Sequence, residues 1–366
     1  MNIRDRTFAA YRGEEPDRIP WLIYDALCPR GEMARQLRNR GLGLKVSVPV
    51  LRMEMPDVRV ETKTIGNIVH RIFHTPLGDV SMKERISLRE GAGSSWIVEH
   101  PVKDLSDFDV AEFMAVNTVY APDYDSFFVA ERNLGGDGVV FVWAGRSPLQ
   151  EMQLELMGYR TFALMLYRHP KEFRGLLRAL EKRADERYRL IAESPTEIVN
   201  GTDNINSEIV SPKLYEEFIM PFYKRQARLL HKGDKILEDH MDGKLDCLKE
   251  LIHKTDLDVI EAFTPPPVGN LPLSEAKESW KGKGISLNFP ESVFLEGIDA
   301  VRKQALRILG EADIGDRFMV TITEDIPAEH RWVGLEAVTD VLEKHGTYPL
   351  RMRNISQASG HRPQFL

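Results

Sequence analysis

The chain has 366 residues, of which 42% are hydrophobic and 29% charged, enough apolar material for a large folded core. Its 49 basic and 56 acidic residues leave a net charge of −7, which argues against general nucleic-acid binding. Two cysteines, Cys28 and Cys247, give neither a disulfide framework nor metal-ligand spacing. The first residues lack an apolar signal core, and no apolar run approaches membrane-spanning length. A cytoplasmic protein without membrane contact is expected.

In chain order, a helix is expected from Ile3 to Tyr11, stopped by Gly13 and the turn residues Pro16 to Pro20. Trp21-Leu22-Ile23-Tyr24 reads as a first strand. Residues 57 to 103 alternate or are β-rich, with Gly and Pro between the runs, and predict an excursion of antiparallel hairpins. From about residue 137 strand and helix alternate. Strands are read at Val139–Trp143, Thr196–Val199, Lys235–Leu237, Leu257–Ile260, Ile285–Leu287 and Phe318–Ile322, with a capped helix starting near Ser211-Pro212. That makes seven strands, and an eighth is sought between residues 104 and 136. The rhythm predicts one closed (β/α)8 TIM barrel spanning 1–366, with a β-hairpin insertion near the N-terminus and a loose polar tail over 351–366.

The strand ends carry the chemistry. Lys235-Ile236-Leu237 runs into Glu238-Asp239-His240-Met241-Asp242-Gly243, where alternate residues of an extended chain face one mouth. Glu261 closes the next strand one barrel repeat later. Asp242 reads as a base, a ligand or a helix cap. Asp203 and Asn204 close another strand, either as groups that engage substrate or as an Asx turn. Tyr24, Trp143, Phe263 and Phe289 could wall an apolar pocket, or simply pack in the core. Asn288 is grouped with the substrate-binding residues. Arg146 either meets a substrate carboxylate or forms a salt bridge. Cys247 reads as a helix-packing residue. Dinucleotide and nucleoside-triphosphate motifs are absent.

The order and spacing of several segments resemble the uroporphyrinogen decarboxylase superfamily. They are Arg6–Ala10 with Pro16–Pro20, Gly145–Pro148 with Leu156–Gly158, Ser211–Phe218 with Pro221–Tyr223, then His240 with Gly243, and Ile326-Pro327. The decarboxylases of that group carry an arginine-rich loop after the first strand, but here Tyr24–Arg30 offers one arginine and an added acid. The methyltransferase branch binds zinc through His-x-Cys and a late Cys. This chain matches the His at His240, with Asp242 and Glu324 where thiolates stand. The resemblance therefore implies zinc held by His240, Glu261 and Glu324, with Glu261 either ligand or orienting carboxylate, and Asp242 and Asp203 catalytic. It implies methyl transfer from a small donor, such as a methoxylated aromatic, to a corrinoid (cobalamin) on a corrinoid-binding partner protein, with a homodimer allowed. The alternative reading is a tetrapyrrole decarboxylase.

Overall fold

The structure is a computed structural model that describes residues 1–86, 95–312 and 317–350. After a helix over Ile3–Arg12 come β1 (Trp21–Tyr24) and β2 (Leu42–Ser47). Six short strands then leave the main body: β3 (Leu51–Glu54), β4 (Arg59–Ile65), β5 (Ile68–Thr75), β6 (Gly78–Arg85), β7 (Trp96–Glu99) and β8 (Val119–Pro122). The chain returns through β9 (Gly138–Gly145), β10 (Ile198–Gly201), β11 (Ile236–His240), β12 (Val259–Phe263), β13 (Gly284–Asn288) and β14 (Phe318–Ile322). Helices connect these last strands, as parallel pairing requires.

The barrel order is β1-β14-β13-β12-β11-β10-β9-β2, with β1 pairing β2 on one side and β14 on the other. This is the expected (β/α)8 barrel with its hairpin insertion, in which β4 to β7 form a four-stranded antiparallel sheet and β3 pairs β8. The eighth barrel strand differs from expectation. It is Leu42–Ser47, whereas residues 104 to 136 hold helices over Phe108–Asn117 and Asp125–Leu134 and only the short β8, outside the barrel. The physical reason for the miss is Lys45, which interrupts an otherwise apolar run and is buried inside the barrel. The expected tail over 351–366 lies outside the described residues.

Alternation along the strands sorts side chains between two apolar regions. A small inner cluster holds Leu22, Val139, Phe141, Ile198, Val259 and Met319. Phe8, Ala10 and Tyr11 of the first helix join it and close the barrel floor. The larger cluster lies between barrel and helices, with Ile23, Val140, Val199, Leu237, Ile260 and Val320 facing outward. The N-terminal segment is locked to this floor: Arg6 Nε donates to Asp17 Oδ1 at 2.6 Å, and Ile19 N donates to the Gly346 carbonyl at 2.9 Å. Among the described residues, no helix is long and apolar enough to cross a membrane.

Candidate metal centre

Polar side chains run through the barrel interior from floor to mouth. Tyr11 Oη donates to Glu238 Oε2 at 2.8 Å, and Asn200 Nδ2 donates to Glu238 Oε1 at 2.9 Å. Lys45 Nζ bridges Glu238 Oε1 at 2.5 Å and Glu261 Oε1 at 3.4 Å. Tyr24 Oη donates to the same Glu261 oxygen at 2.7 Å. His240 Nδ1 meets the other, Oε2, at 3.0 Å. All of Lys45, Glu238 and Glu261 are buried, so each charge depends on its partners rather than on water. Burial works against ionising Glu261, but the Lys45 ammonium and the His240 ring hold its carboxylate down at about 2. Burial and the neighbouring Glu261 outweigh Lys45 at Glu238, whose carboxyl is raised.

Above this column sits the cluster. His240, Asp242 and Glu324 offer ligand atoms that all lie within 4.8 Å of one another. Since Nδ1 is engaged by Glu261, Nε2 is the atom turned to the cluster, 3.5 Å from Glu324 Oε1. Burial alone would depress His240, yet the carboxylates of Glu261 and Glu324 raise it well above its usual range. Asp242 Oδ1 is buried and has no hydrogen-bond partner among the described residues. Glu324 faces the cluster, while its neighbour Asp325 pairs with Arg331 at 2.6 Å. Asn288 braces the rim, donating to Thr264 Oγ1 at 3.2 Å and accepting from Thr323 N, beside Glu324, at 3.0 Å. It also donates to Glu291, whose carboxyl burial pushes up to about 7, with Glu324 and Asp242 adding to the rise.

One imidazole nitrogen and two carboxylates, with the far imidazole nitrogen fixed by a third carboxylate, suit a zinc ion. The orphaned Asp242 oxygen fits the same reading, because a buried acceptor needs a partner. The geometry bears on two residues whose roles the sequence left open. Glu261 has both oxygens engaged by Tyr24, Lys45 and His240, the arrangement of an orienting carboxylate. Asp242 takes its place in the cluster.

Other expected site residues divide cleanly. Tyr24 and Trp143 meet edge-on at 5.6 Å, and Trp143 keeps 36% exposure at the mouth. Phe263 is turned away, packing edge-on against Trp280 at 5.4 Å in the outer cluster. Simple alternation would put it beside Glu261, but Ala262 takes φ +57 at a register irregularity and reverses the phase. Phe289 likewise packs on Phe294, at 5.4 Å. Asp203 is buried in the scaffold, accepting from Ser147 N and Tyr223 Oη at 2.7 Å each. Arg146 is bound to Glu155 and to the Thr202 carbonyl, not held open for a substrate. The Asn204 backbone N–H donates to Gln150 Oε1 at 3.0 Å, and its side-chain Oδ1 is buried without a hydrogen-bond partner among the described residues. Asn288 is a brace, as described above. Cys247 is exposed and does not pack. Lys45, Glu238 and Glu291 were missed. Glu238 lay in the motif itself, and a lone Lys in an apolar run was the available signal for Lys45.

A uroporphyrinogen decarboxylase (URO-D) family model matches residues 90–345, so the chain belongs to that family. No curated protein matches it. Among solved structures, a methyltransferase from Methanosarcina mazei is similar over 93% of this chain and 98% of its own, with 12% identity and a TM-score of 0.59. A putative vitamin-B12 independent methionine synthase from Listeria monocytogenes covers 69% of this chain and 72% of its own, with 13% identity and a TM-score of 0.37. The first of these likenesses supports the barrel fold.

Proposed function

We propose that the protein is a zinc-dependent methyltransferase that takes a methyl group from a small methoxylated aromatic donor and passes it to a corrinoid on a separate protein. The observation that carries this reading is His240, anchored at Nδ1 by buried Glu261 and presenting Nε2 to Asp242 and Glu324. Those three residues would hold the ion, which when bound supplies a Lewis acid for the ether oxygen. Glu261 fixes the tautomer and orientation of His240. Tyr24 and Trp143 offer an aromatic wall on which the donor's ring can lie. As the methyl carbon passes to the corrinoid, the oxygen keeps the electron pair of the broken C–O bond, and Glu291, whose carboxyl pKa is raised by burial, is the acid that protonates it. In the decarboxylase alternative a polycarboxylate needs a cationic cradle. Arg30, the arginine of the loop after β1, is exposed and paired with Asp25 at 3.0 Å.

Zinc titration into chelator-stripped protein, followed by calorimetry, tests the ligand set directly. Wild type should bind one equivalent, and His240→Ala should lose both zinc and demethylation. If His240→Ala retains full demethylation and the wild type takes up no metal, the zinc reading is wrong. Uroporphyrinogen turnover by the wild type would instead establish the decarboxylase.

A further inference from the structure

The antiparallel insertion ends in an edge strand that is built to pair with itself. β4, Arg59-Val60-Glu61-Thr62-Lys63-Thr64-Ile65, is the outermost strand of its sheet, and all seven residues are exposed. Helix Phe108–Asn117 lies against β5 and β6. No described strand pairs its outer side.

The hydrogen-bonding phase of that edge follows from the turn. Ile65 pairs Ile68 across the two-residue loop Gly66-Asn67, and Gly66 has φ +58. A tight hairpin of this kind, with glycine first, closes on a hydrogen-bonded pair. Ile65, Lys63, Glu61 and Arg59 therefore bond inward to β5, and the N–H and C=O groups of Val60, Thr62 and Thr64 point outward. Long unpaired edges of this kind invite strand addition unless proline, a bulge or unmatched charged side chains block it. β4 contains no proline and pairs in unbroken register with β5.

The charges decide the occupant. Antiparallel pairing of two β4 strands about Thr62 sets Glu61 opposite Lys63 of a second copy, and Lys63 opposite its Glu61. The same register sets Val60 against Thr64 and Arg59 against Ile65. Opposite charges directly across strands stabilise such a pair, and like charges oppose it. Thr62 would lie on the two-fold axis as a hydrogen-bonded pair with itself, which is the isologous contact expected of a symmetric dimer. We infer that β4 is the interface through which two copies of this chain associate, joining their insertions into one continuous eight-stranded antiparallel sheet.

Sedimentation equilibrium of the full chain over a concentration series tests this. Wild type should dimerise, and Lys63→Glu should weaken the dimer at least tenfold by facing Glu61 with a like charge. The swap Glu61→Lys/Lys63→Glu should restore wild-type association, a rescue that loss of folding could not produce. Thr62→Pro should give monomer with unchanged circular dichroism. Thr62→Cys should cross-link the dimer under mild oxidant, because hydrogen-bonded partners sit about 5.5 Å apart at Cα. A wild type that stays monomeric at every concentration overturns the inference. So does a dimer whose dissociation constant ignores both the single substitution and the swap.

Discussion

At the residue scale the site is a column in which each side chain is held by the one beneath it. Lys45 is the cation shared by Glu238 and Glu261, so Lys45→Met leaves two buried carboxylates without it. Breaking a buried pair in this way costs about 3–5 kcal/mol, and denaturant unfolding should register that loss. Glu261→Gln keeps the shape but weakens the grip on His240 Nδ1. Zinc affinity is predicted to fall about 10–100-fold while the melting temperature of the metal-free protein shifts little in comparison. Glu291→Gln should lower demethylation about 100-fold or more. It should also abolish the alkaline decline of the wild-type rate, the limb on which Glu291 loses its proton. Farther from the mouth, Arg6 holds Asp17 down at about 2, with burial opposing and the N-terminal amine assisting. A depressed carboxylate pKa stabilises the fold above its unfolded value, and that contribution disappears as pH falls from about 4 through 2. Because Asp17 is 44% exposed, screening limits the contribution to roughly 1 kcal/mol. Asp17→Asn should therefore be less stable than wild type at pH 7, with the two converging near pH 2.

At the element scale, the strands whose site residues could be read from sequence were those ending abruptly in polar residues. His240 after Ile236-Leu237, Glu261 after Val259-Ile260 and Glu324 beyond Phe318–Ile322 all announce a mouth, because apolar strand and polar end differ sharply. β2 gave no such announcement, since its chemistry lies mid-strand at Lys45 and its end runs straight into the insertion. Depth was equally hidden. Whether Glu261 binds an ion or steers His240 depends on Tyr24 and Lys45, which arrive from strands more than 200 residues earlier in the chain. The facing of Phe263 was illegible because one backbone angle, at Ala262, overrides the period of the strand. A non-glycine residue in that region stores about 1–2 kcal/mol of strain. Ala262→Gly should consequently be tolerated within about 1 kcal/mol, since relief of strain offsets the added chain entropy. Ala262→Val, branched and tightly enclosed, should lose about 1–3 kcal/mol. Equal losses for the two would show that the left-handed angle is not what sets the cost.

At the scale of the whole molecule, the barrel is sealed by the pairing of Trp21 with Val320, partners separated by about 300 residues. Contacts that distant are slow to form, because loop closure must come before any of them is rewarded. During synthesis β1 therefore waits, with one edge open, until β14 has left the ribosome. Glu324 follows that last strand by two residues, whereas His240 and Asp242 emerge some 80 residues sooner. An early chain can offer an ion two donors and no enclosing wall, and only the sealed barrel offers the third. On the zinc reading proposed above, metal uptake is timed to the end of folding, and tight zinc retention by a nascent or refolding chain would mark the moment at which its first and last strands have met.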